Sequence, residues 1–160
     1  MSEKAAGYWT FFAGDARRTG SPLYSRLAEG IGKDEELKAL AARARVGQPH
    51  ANMILGAVHF LLLRGADHRL KRFYGTVGGT VSAEGEDPFP DFRDFVLAHR
   101  AEIEPLIATR VTNTNEIGRS ALLHAGFRVI VAQAKAPLSL IEVGPSAGLD
   151  RKSTRLNSSH

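Results

Sequence analysis

The chain has 160 residues, 43% of them hydrophobic, and no cysteine, which excludes disulfides and thiolate sites and suits one domain, or one domain and the start of another. Its formal net charge of +4 comes from basic residues interspersed with acidic ones, so the basic stripe typical of nucleic-acid binding is missing. The longest apolar run, Met53–Leu63, is too short for a membrane span of about 20 residues, and we expect a cytoplasmic protein.

Helical periodicity dominates the first 110 residues, with apolar side chains every three or four positions. The predicted helices run from Glu3 to Ala16, from Pro22 after an N-capping Ser21, from Asp34 to Arg45, from Pro49 to Arg64, through Phe73 after a capping Asp67, and from Asp91 to Arg110. The glycine-rich stretch from Gly75 to Pro90 is predicted to be a linker. Pro105 is expected to kink or divide the last helix because it lacks the backbone N–H.

Three of the histidines in this helical region are evenly spaced, but their spacing argues against a metal site. His50, His59 and His68 are nine residues apart, whereas two imidazoles on one helix reach the same metal ion at i, i+4 spacing. We predict capping or partly buried roles for these histidines and no metal ligands.

The sequence changes character after Arg110. A helix is predicted from Asn115 to Gln133, and a short turn then leads to an apolar run of strand length, Leu138–Val143. Such a run is typical of a central parallel strand that is covered on both faces. Gly144 and Gly148 follow it, and a strand that ends in a glycine-rich turn is how doubly wound folds receive a nucleotide-like ligand.

These elements predict a mainly α chain with two regions. Residues 1–110 form a helical N-terminal region, and residues 111–149 form the first helix and strand of a truncated Rossmann-like α/β domain. A lone strand with two apolar faces is not stable in water without cover. We therefore expect this region to be poorly packed and the chain to be inactive as it stands.

Four residues at the end of the predicted strand form a spaced motif. Glu142, Gly144, Ser146 and Gly148 fall at every second position, as E-x-G-x-S-x-G. The pattern resembles the first motif of class I S-adenosylmethionine-dependent methyltransferases, in which an acidic residue is followed by spaced glycines. Ser146 departs from that pattern, because a glycine is usual there. The resemblance implies that these four residues bind S-adenosylmethionine, with Glu142 supporting the turn or its ligand.

Two stretches together resemble the bacterial family called domain of unknown function 2332. They are TNTNEIGRSALL, at residues 112–123, and PLSLIEVGPSAGL, at residues 137–149. Members of that family carry a T-N-E-x-x-R-like segment before a helix and an L-x-E-x-G-x-S-A-G-L-N strand and turn. Pro145 stands where a small residue such as alanine is common. The resemblance implies an uncharacterised bacterial protein with a methyltransferase-like nucleotide site.

Asn115, Glu116 and Arg119 open the helix that leads into the predicted strand. Helix and strand are joined by a short turn and should run antiparallel, so the start of the helix would lie beside the Gly144–Gly148 turn. We expect these three residues to contact the cofactor, since helix N-termini favour anionic groups such as its carboxylate. Capping is the alternative, with Asn113 as N-cap, Glu116 folding back onto it and Arg119 paired with Glu116.

The last 11 residues, Asp150–His160, are polar and lack periodicity. All of them match the translation of a common short-read sequencing adapter, and Asp150 stands where the family has asparagine. We interpret them as a non-biological tail, and the chain as a fragment of a protein whose natural sequence continues differently after Leu149. Without the tail, 18 basic and 16 acidic residues remain, a net charge of +2.

Two other functions stay open at this point. Ser146 lies between Gly144 and Gly148, as the nucleophile does in the G-x-S-x-G turn of α/β-hydrolases, whose acid and histidine follow later in the chain. The helical region could also be a non-catalytic binding or cap module. Glu142 and the upstream T-N-E segment favour the methyltransferase-like interpretation, with a small-molecule cofactor as the partner.

Overall fold

The computed structural model describes residues 3–112, 119–134 and 138–139, with side chains described from residue 7 and, in the last helix, from residue 123. The chain divides into two compact units, residues 1–112 and 113–160, and each is described by itself. As the sequence predicts, the chain is mainly helical, and its described residues contain no strand. Among the same residues, no helix combines the length and the hydrophobicity needed to cross a membrane.

Six α-helices and two short 3-10 helices make up the described part of the first unit. They are α1 (Glu3–Arg18), α2 (Pro22–Ile31), α3 (Glu35–Ala41), α4 (His50–Leu63), the 3-10 helices η1 (Arg69–Phe73) and η2 (Gly75–Val77), α5 (Phe89–Ala98) and α6 (Arg100–Thr109). α3 stops short of the predicted Arg45, because the N–H groups of Arg43 and Ala44 bond to carbonyls only three residues back. The second unit contains α7 (Arg119–Ala134).

α4 lies at the centre of the hydrophobic core of the first unit, which confirms the prediction of a buried helix. It packs against α3, α6 and η2. Its buried side chains are those of Ala51, Met53, Ile54, Leu55, Ala57, Val58, Leu61 and Leu62. At its first turn the Ala51 N–H donates a hydrogen bond of 3.0 Å to the Tyr8 hydroxyl. Burying one large aliphatic side chain stabilises a fold by about 1.5–3 kcal/mol, so α4 is a main source of stability.

The starts of α2 and α3 are capped in different ways. Asp34 precedes α3, and its carboxylate accepts hydrogen bonds of 3.0 Å from the N–H groups of Glu36 and Leu37. Ser21 occupies the predicted N-cap position before α2, but its side chain makes no capping bond. The proline at the first position of α2 has no backbone N–H, so the start of this helix has one fewer donor that needs a hydrogen-bond acceptor.

The short helix η1 begins one residue later than predicted. Asp67 is not its cap: the Nδ1 atom of His68 accepts the N–H of Leu70 at 3.1 Å instead. The preceding helix ends as predicted at Gly65, whose φ of +99° lies in the left-handed region that favours glycine. His68 therefore has the capping role that the sequence suggests for a histidine in this region.

The predicted helix from Asp91 to Arg110 is two helices, and they divide at His99. The backbone of His99 has φ −106° and ψ 21°, outside the helical region, whereas Pro105 lies within α6. The prediction that Pro105 divides the helix is wrong, because α6 continues through Pro105 as far as Thr109 and the division lies at His99 instead. With the turn at His99, Phe95 of α5 and Ile103 of α6 are both fully buried.

In the second unit, the described side chains of α7 are exposed or half-buried. They include four aliphatic residues that are 39–58% exposed, namely Leu123, Val129, Ile130 and Val131. Of the predicted strand Leu138–Val143, only Leu138 and Ser139 belong to the described residues; they form no strand, and Leu138 is exposed. The Rossmann-like strand is therefore not supported by the described part of the chain.

Candidate functional site

The predicted cofactor residues fall almost entirely outside the described residues. Glu142, Gly144, Ser146 and Gly148 lie there, as do Asn115 and Glu116. Arg119 is the first residue of α7, but its side chain is not among those described. That these residues form one site stays a prediction. The side-chain clusters and cavities of the described residues lie in the helical first unit.

Four side chains of the first unit meet around His59 of α4. The Nδ1 atom of His59 lies 3.3 Å from the hydroxyl oxygen of Tyr24 in α2, and its Nε2 atom lies 2.6 Å from Oγ1 of Thr76 in η2. The Tyr74 ring packs against the imidazole, with ring centroids 5.2 Å apart. We call these four residues the His59 cluster.

A tight glycine turn brings Thr76 to the cluster. The N–H of Gly79 donates a hydrogen bond of 3.0 Å to the carbonyl of Tyr74. A Cβ atom on Gly79 would lie 2.3 Å from the backbone carbonyl oxygen of Lys71, so only glycine fits at this position. Gly78, with φ of +87°, also requires the left-handed conformation. The glycines of the predicted linker thus build a defined turn.

Burial makes the His59 cluster electrically neutral near pH 7. Burial lowers the pKa of His59 below its ordinary value. The neutral imidazole therefore donates a hydrogen bond from one ring nitrogen and accepts one at the other. Burial also raises the pKa of Tyr24. The pKa of Tyr74 is raised by burial and, to a smaller extent, by the neighbouring Tyr24. The cluster therefore offers hydroxyl and imidazole hydrogen bonds rather than charge.

The chemistry of the cluster is that of a hydroxyl beside a base. An imidazole 2.6 Å from Thr76 Oγ1, with Tyr24 at its other nitrogen, has the contacts of a base-assisted nucleophile. Neither of the two cavities described below is lined by Thr76 or His59. The cluster joins α2, α4 and η2, and we assign it a structural role.

A second polar cluster is centred on the buried carboxylate of Asp91 in α5. Its Oδ1 lies 2.7 Å from Nε of Arg69, and its Oδ2 accepts hydrogen bonds of 3.2 and 3.0 Å from Arg72. Arg72 also pairs with Glu86 in the loop before α5. The two arginines of the sequence HRLKRF thus attach η1 to α5, and Lys71 pairs with Asp67 at 3.6 Å.

Two cavities of the first unit differ in their lining. The first, of about 380 Å³, lies between α2 and the loop before α5 and is lined by both charge signs, including Arg26, Glu29, Lys33 and Glu84. The second, of about 350 Å³, lies between α4 and the end of α6. We call it the α4–α6 groove; its lining includes Asn52, Met53, Gly56, Phe60, Leu106 and Arg110.

The described residues contain no group of three or more histidine, aspartate or glutamate side chains that could hold a metal ion. His50 packs against the ring of Tyr8, with centroids 5.8 Å apart. His50, His59 and His68 thus have separate environments: an aromatic contact at His50, the hydroxyl cluster at His59 and the cap of η1 at His68.

Sequence reasoning missed both the His59 cluster and the α4–α6 groove. The partners of His59 lie 35 and 17 residues away in the chain, and no local spacing signals such a contact. The sequence predicts Arg110 only as the end of a helix. Its position after the last turn of α6, next to the exposed Val111, is a weak signal for a surface site.

Comparison with known proteins gives a family and no nearer relative. A family described as an uncharacterized protein conserved in bacteria, domain of unknown function 2332, matches residues 8–158. No curated protein and no solved structure matches the chain. The resemblance carried by residues 112–149 is thereby confirmed at the level of the family, and the match includes the helical region as well. Because the matched range is far more than half of its length, the chain belongs to the domain of unknown function 2332 family.

Proposed function

We propose that the protein binds S-adenosylmethionine or a similar nucleotide and, at full length, transfers a methyl group. The proposal is carried by the E-x-G-x-S-x-G spacing of Glu142, Gly144, Ser146 and Gly148, directly after an apolar run of strand length. Glycines in such a turn let the backbone approach a nucleotide, and the helix that follows offers its N-terminal amides. S-adenosylmethionine would supply the methyl group.

The residues of the proposed turn would have different roles. Glu142 would accept hydrogen bonds from the ligand or from the N–H groups of the turn. Gly144 and Gly148 would leave the space that a side chain would otherwise occupy. Ser146, where related methyltransferases have glycine, would place a hydroxyl next to the ligand.

The T-N-E segment would supply the second side of the proposed site. Arg119 would pair with the carboxylate of the cofactor, since a guanidinium binds a carboxylate through two parallel hydrogen bonds. Asn115 and Glu116 would bind its polar groups. The segment follows Thr112, whose N–H and hydroxyl donate hydrogen bonds of 2.7 and 3.2 Å to Oε1 of Gln48. The first unit therefore anchors the chain directly before the segment begins.

The proposal includes a Rossmann-like α/β domain that begins with residues 111–149 and continues in the natural protein. Exposed aliphatic side chains on α7, such as Val129 and Ile130, fit a helix that further strands of such a domain would cover. The family match reaches residue 158 and so includes most of Asp150–His160. The interpretation of those residues as a non-biological tail stays a prediction.

The proposed function is tested with protein expressed from source DNA that has been re-sequenced through codon 149. We expect calorimetric titration to show binding of S-adenosylmethionine, and Glu142→Gln to weaken it about tenfold or more, because hydrogen bonds to a charged group contribute about 1.5–3 kcal/mol. Glu84→Gln, which neutralises an exposed carboxylate in the first unit, is the control. The 160-residue chain should show no measurable binding, because the proposed domain is incomplete in it.

Two results would contradict the proposal. One is a re-sequenced full-length protein that does not bind S-adenosylmethionine, or that binds it equally well with Glu142→Gln. The other is covalent labelling of the wild type by a fluorophosphonate probe that is lost in Ser146→Ala, because a reactive serine belongs to the α/β-hydrolase alternative.

A further inference from the structure

We propose that the α4–α6 groove binds a small organic anion, namely an apolar or aromatic body that carries one carboxylate. The groove belongs to the first unit alone, since all the residues that line it lie between positions 52 and 112. None of these lining residues is among those proposed to bind S-adenosylmethionine. Its size, its lining and its charge each support this class of ligand.

The size of the groove depends on Gly56. Glycine within a helix is less favourable than alanine by about 1 kcal/mol, and nothing in the backbone of α4 requires it. Apart from its chain neighbours and the nearby backbone of α4, a Cβ atom at position 56 would meet no atom within 4 Å, so the missing side chain serves no close packing contact. Its effect is to leave open the floor of a groove of about 350 Å³, which lies at the lower end of the range for small-molecule sites.

The lining of the groove suits an apolar ligand body. Met53 and Phe60 of α4 and Leu106 of α6 line it. Phe60 is 42% exposed, so its ring is available for contact. Methionine adapts to irregular shapes, and an aromatic ring provides a flat contact surface. Asn52 and Thr112 add an amide and a hydroxyl at the edge.

The charge of the groove selects an anion. Arg110 is the only charged residue in its lining, and within the described part of the chain its guanidinium has no ion-pair partner. Arg100 at the start of α6, in contrast, pairs with Glu36 at 2.8 Å and with Glu104 at 3.7 Å. A guanidinium that is not occupied by a protein carboxylate can bind one from a ligand through two parallel hydrogen bonds. We therefore infer that the ligand's carboxylate lies at Arg110 and its body over Gly56.

The test compares two probes of nearly the same shape, the anion 1-naphthaleneacetate and its neutral amide, titrated into the 160-residue chain and followed by NMR. We expect the carboxylate to bind about tenfold more tightly than the amide, the effect of one charge-assisted hydrogen bond. Arg110→Gln should remove this preference. Arg45→Gln, which removes an exposed arginine outside the lining, should preserve it.

Two glycine substitutions test the position of the ligand body. Gly56→Leu should abolish binding of both probes by filling the groove, and Gly56→Ala should weaken binding while raising the melting temperature. Gly14→Leu is the control, because Gly14 is an exposed helical glycine in α1 with equally open surroundings. If circular dichroism shows that Gly56→Leu is unfolded, the position of the ligand body is tested with Gly56→Ala alone.

Three results would overturn the proposal. The first is that neither probe binds the folded chain. The second is binding that Gly56→Ala and Arg110→Gln leave unchanged. The third is a sedimentation coefficient of a dimer that falls to the monomer value in Gly56→Leu, since a second copy of the chain would then occupy the groove. None of these results depends on S-adenosylmethionine, so the two proposals fail separately.

Discussion

α4 and α7 are both rich in apolar residues, but their environments are opposite. α4 buries eight of its 14 residues and packs against elements from before and after it in the chain. Every described side chain of α7 is exposed or half-buried. Sequence periodicity predicts both helices because helix formation is local. Whether other elements bury the apolar face of a helix depends on contacts with distant parts of the chain. A helix that is predicted correctly is therefore not necessarily a packed one.

The largest effect that we expect from this comparison is on the free energy of unfolding. Leu62 of α4 is 1% exposed and Leu123 of α7 is 56% exposed. Leu62→Ala should lower the free energy of unfolding by about 2–5 kcal/mol, because it leaves a cavity in the core, whereas Leu123→Ala should change it by less than about 0.5 kcal/mol. Denaturant unfolding followed by far-ultraviolet circular dichroism measures both. Equal losses would show that α7 is packed as tightly as α4.

A smaller effect is expected at the ends of helices in the first unit. Asp34→Ala removes a cap with two backbone hydrogen bonds and an ion pair of 2.7 Å with Arg93. It should lower the free energy of unfolding by about 0.5–2 kcal/mol. Ser21→Ala is the matched control and should have little effect, because the Ser21 side chain makes no capping bond. Chemical denaturation of both variants measures the two losses of unfolding free energy. A larger loss for Ser21→Ala than for Asp34→Ala would contradict the observed caps.

The smallest effect that we expect is a pH dependence that comes from His59. Burial lowers the pKa of His59 in the folded protein, so below its ordinary value of about 6.5 the unfolded chain binds more protons than the folded one. Stability should therefore be fully present above about pH 6.5 and decrease as the pH falls through the folded pKa. His59→Gln, which keeps hydrogen-bonding groups but does not titrate, should lose less stability between pH 7.5 and pH 5.5. An equal loss in both proteins would show that His59 does not contribute.

The first unit shows how far the sequence could predict the fold. The buried α4 and the capped start of α3 were predictable because their signals are local: an apolar run at Met53–Leu63, and Asp34 before a helical pattern. The break at His99 was not, because Pro105 is the stronger local signal and the burial of Phe95 and Ile103 is a tertiary effect.

The sites were less predictable than the helices. The His59 cluster joins residues from α2, α4 and η2, and the α4–α6 groove arises where the side chain of Gly56 is missing opposite the end of α6. The periodicity of apolar residues indicates which face of a helix is buried. It does not indicate which other helix that face contacts. The motif at Glu142–Gly148 could be read from the sequence alone because its spacing is local.

The central claim is that cofactor chemistry belongs to residues 113–149 and not to the helical first unit. Hydrogen–deuterium exchange of the re-sequenced full-length protein, with and without S-adenosylmethionine, tests it most directly. We expect the cofactor to slow exchange at residues 113–119 and 142–148 and to leave α4 unchanged. Slowed exchange confined to residues 1–112, or no change anywhere, would contradict the claim.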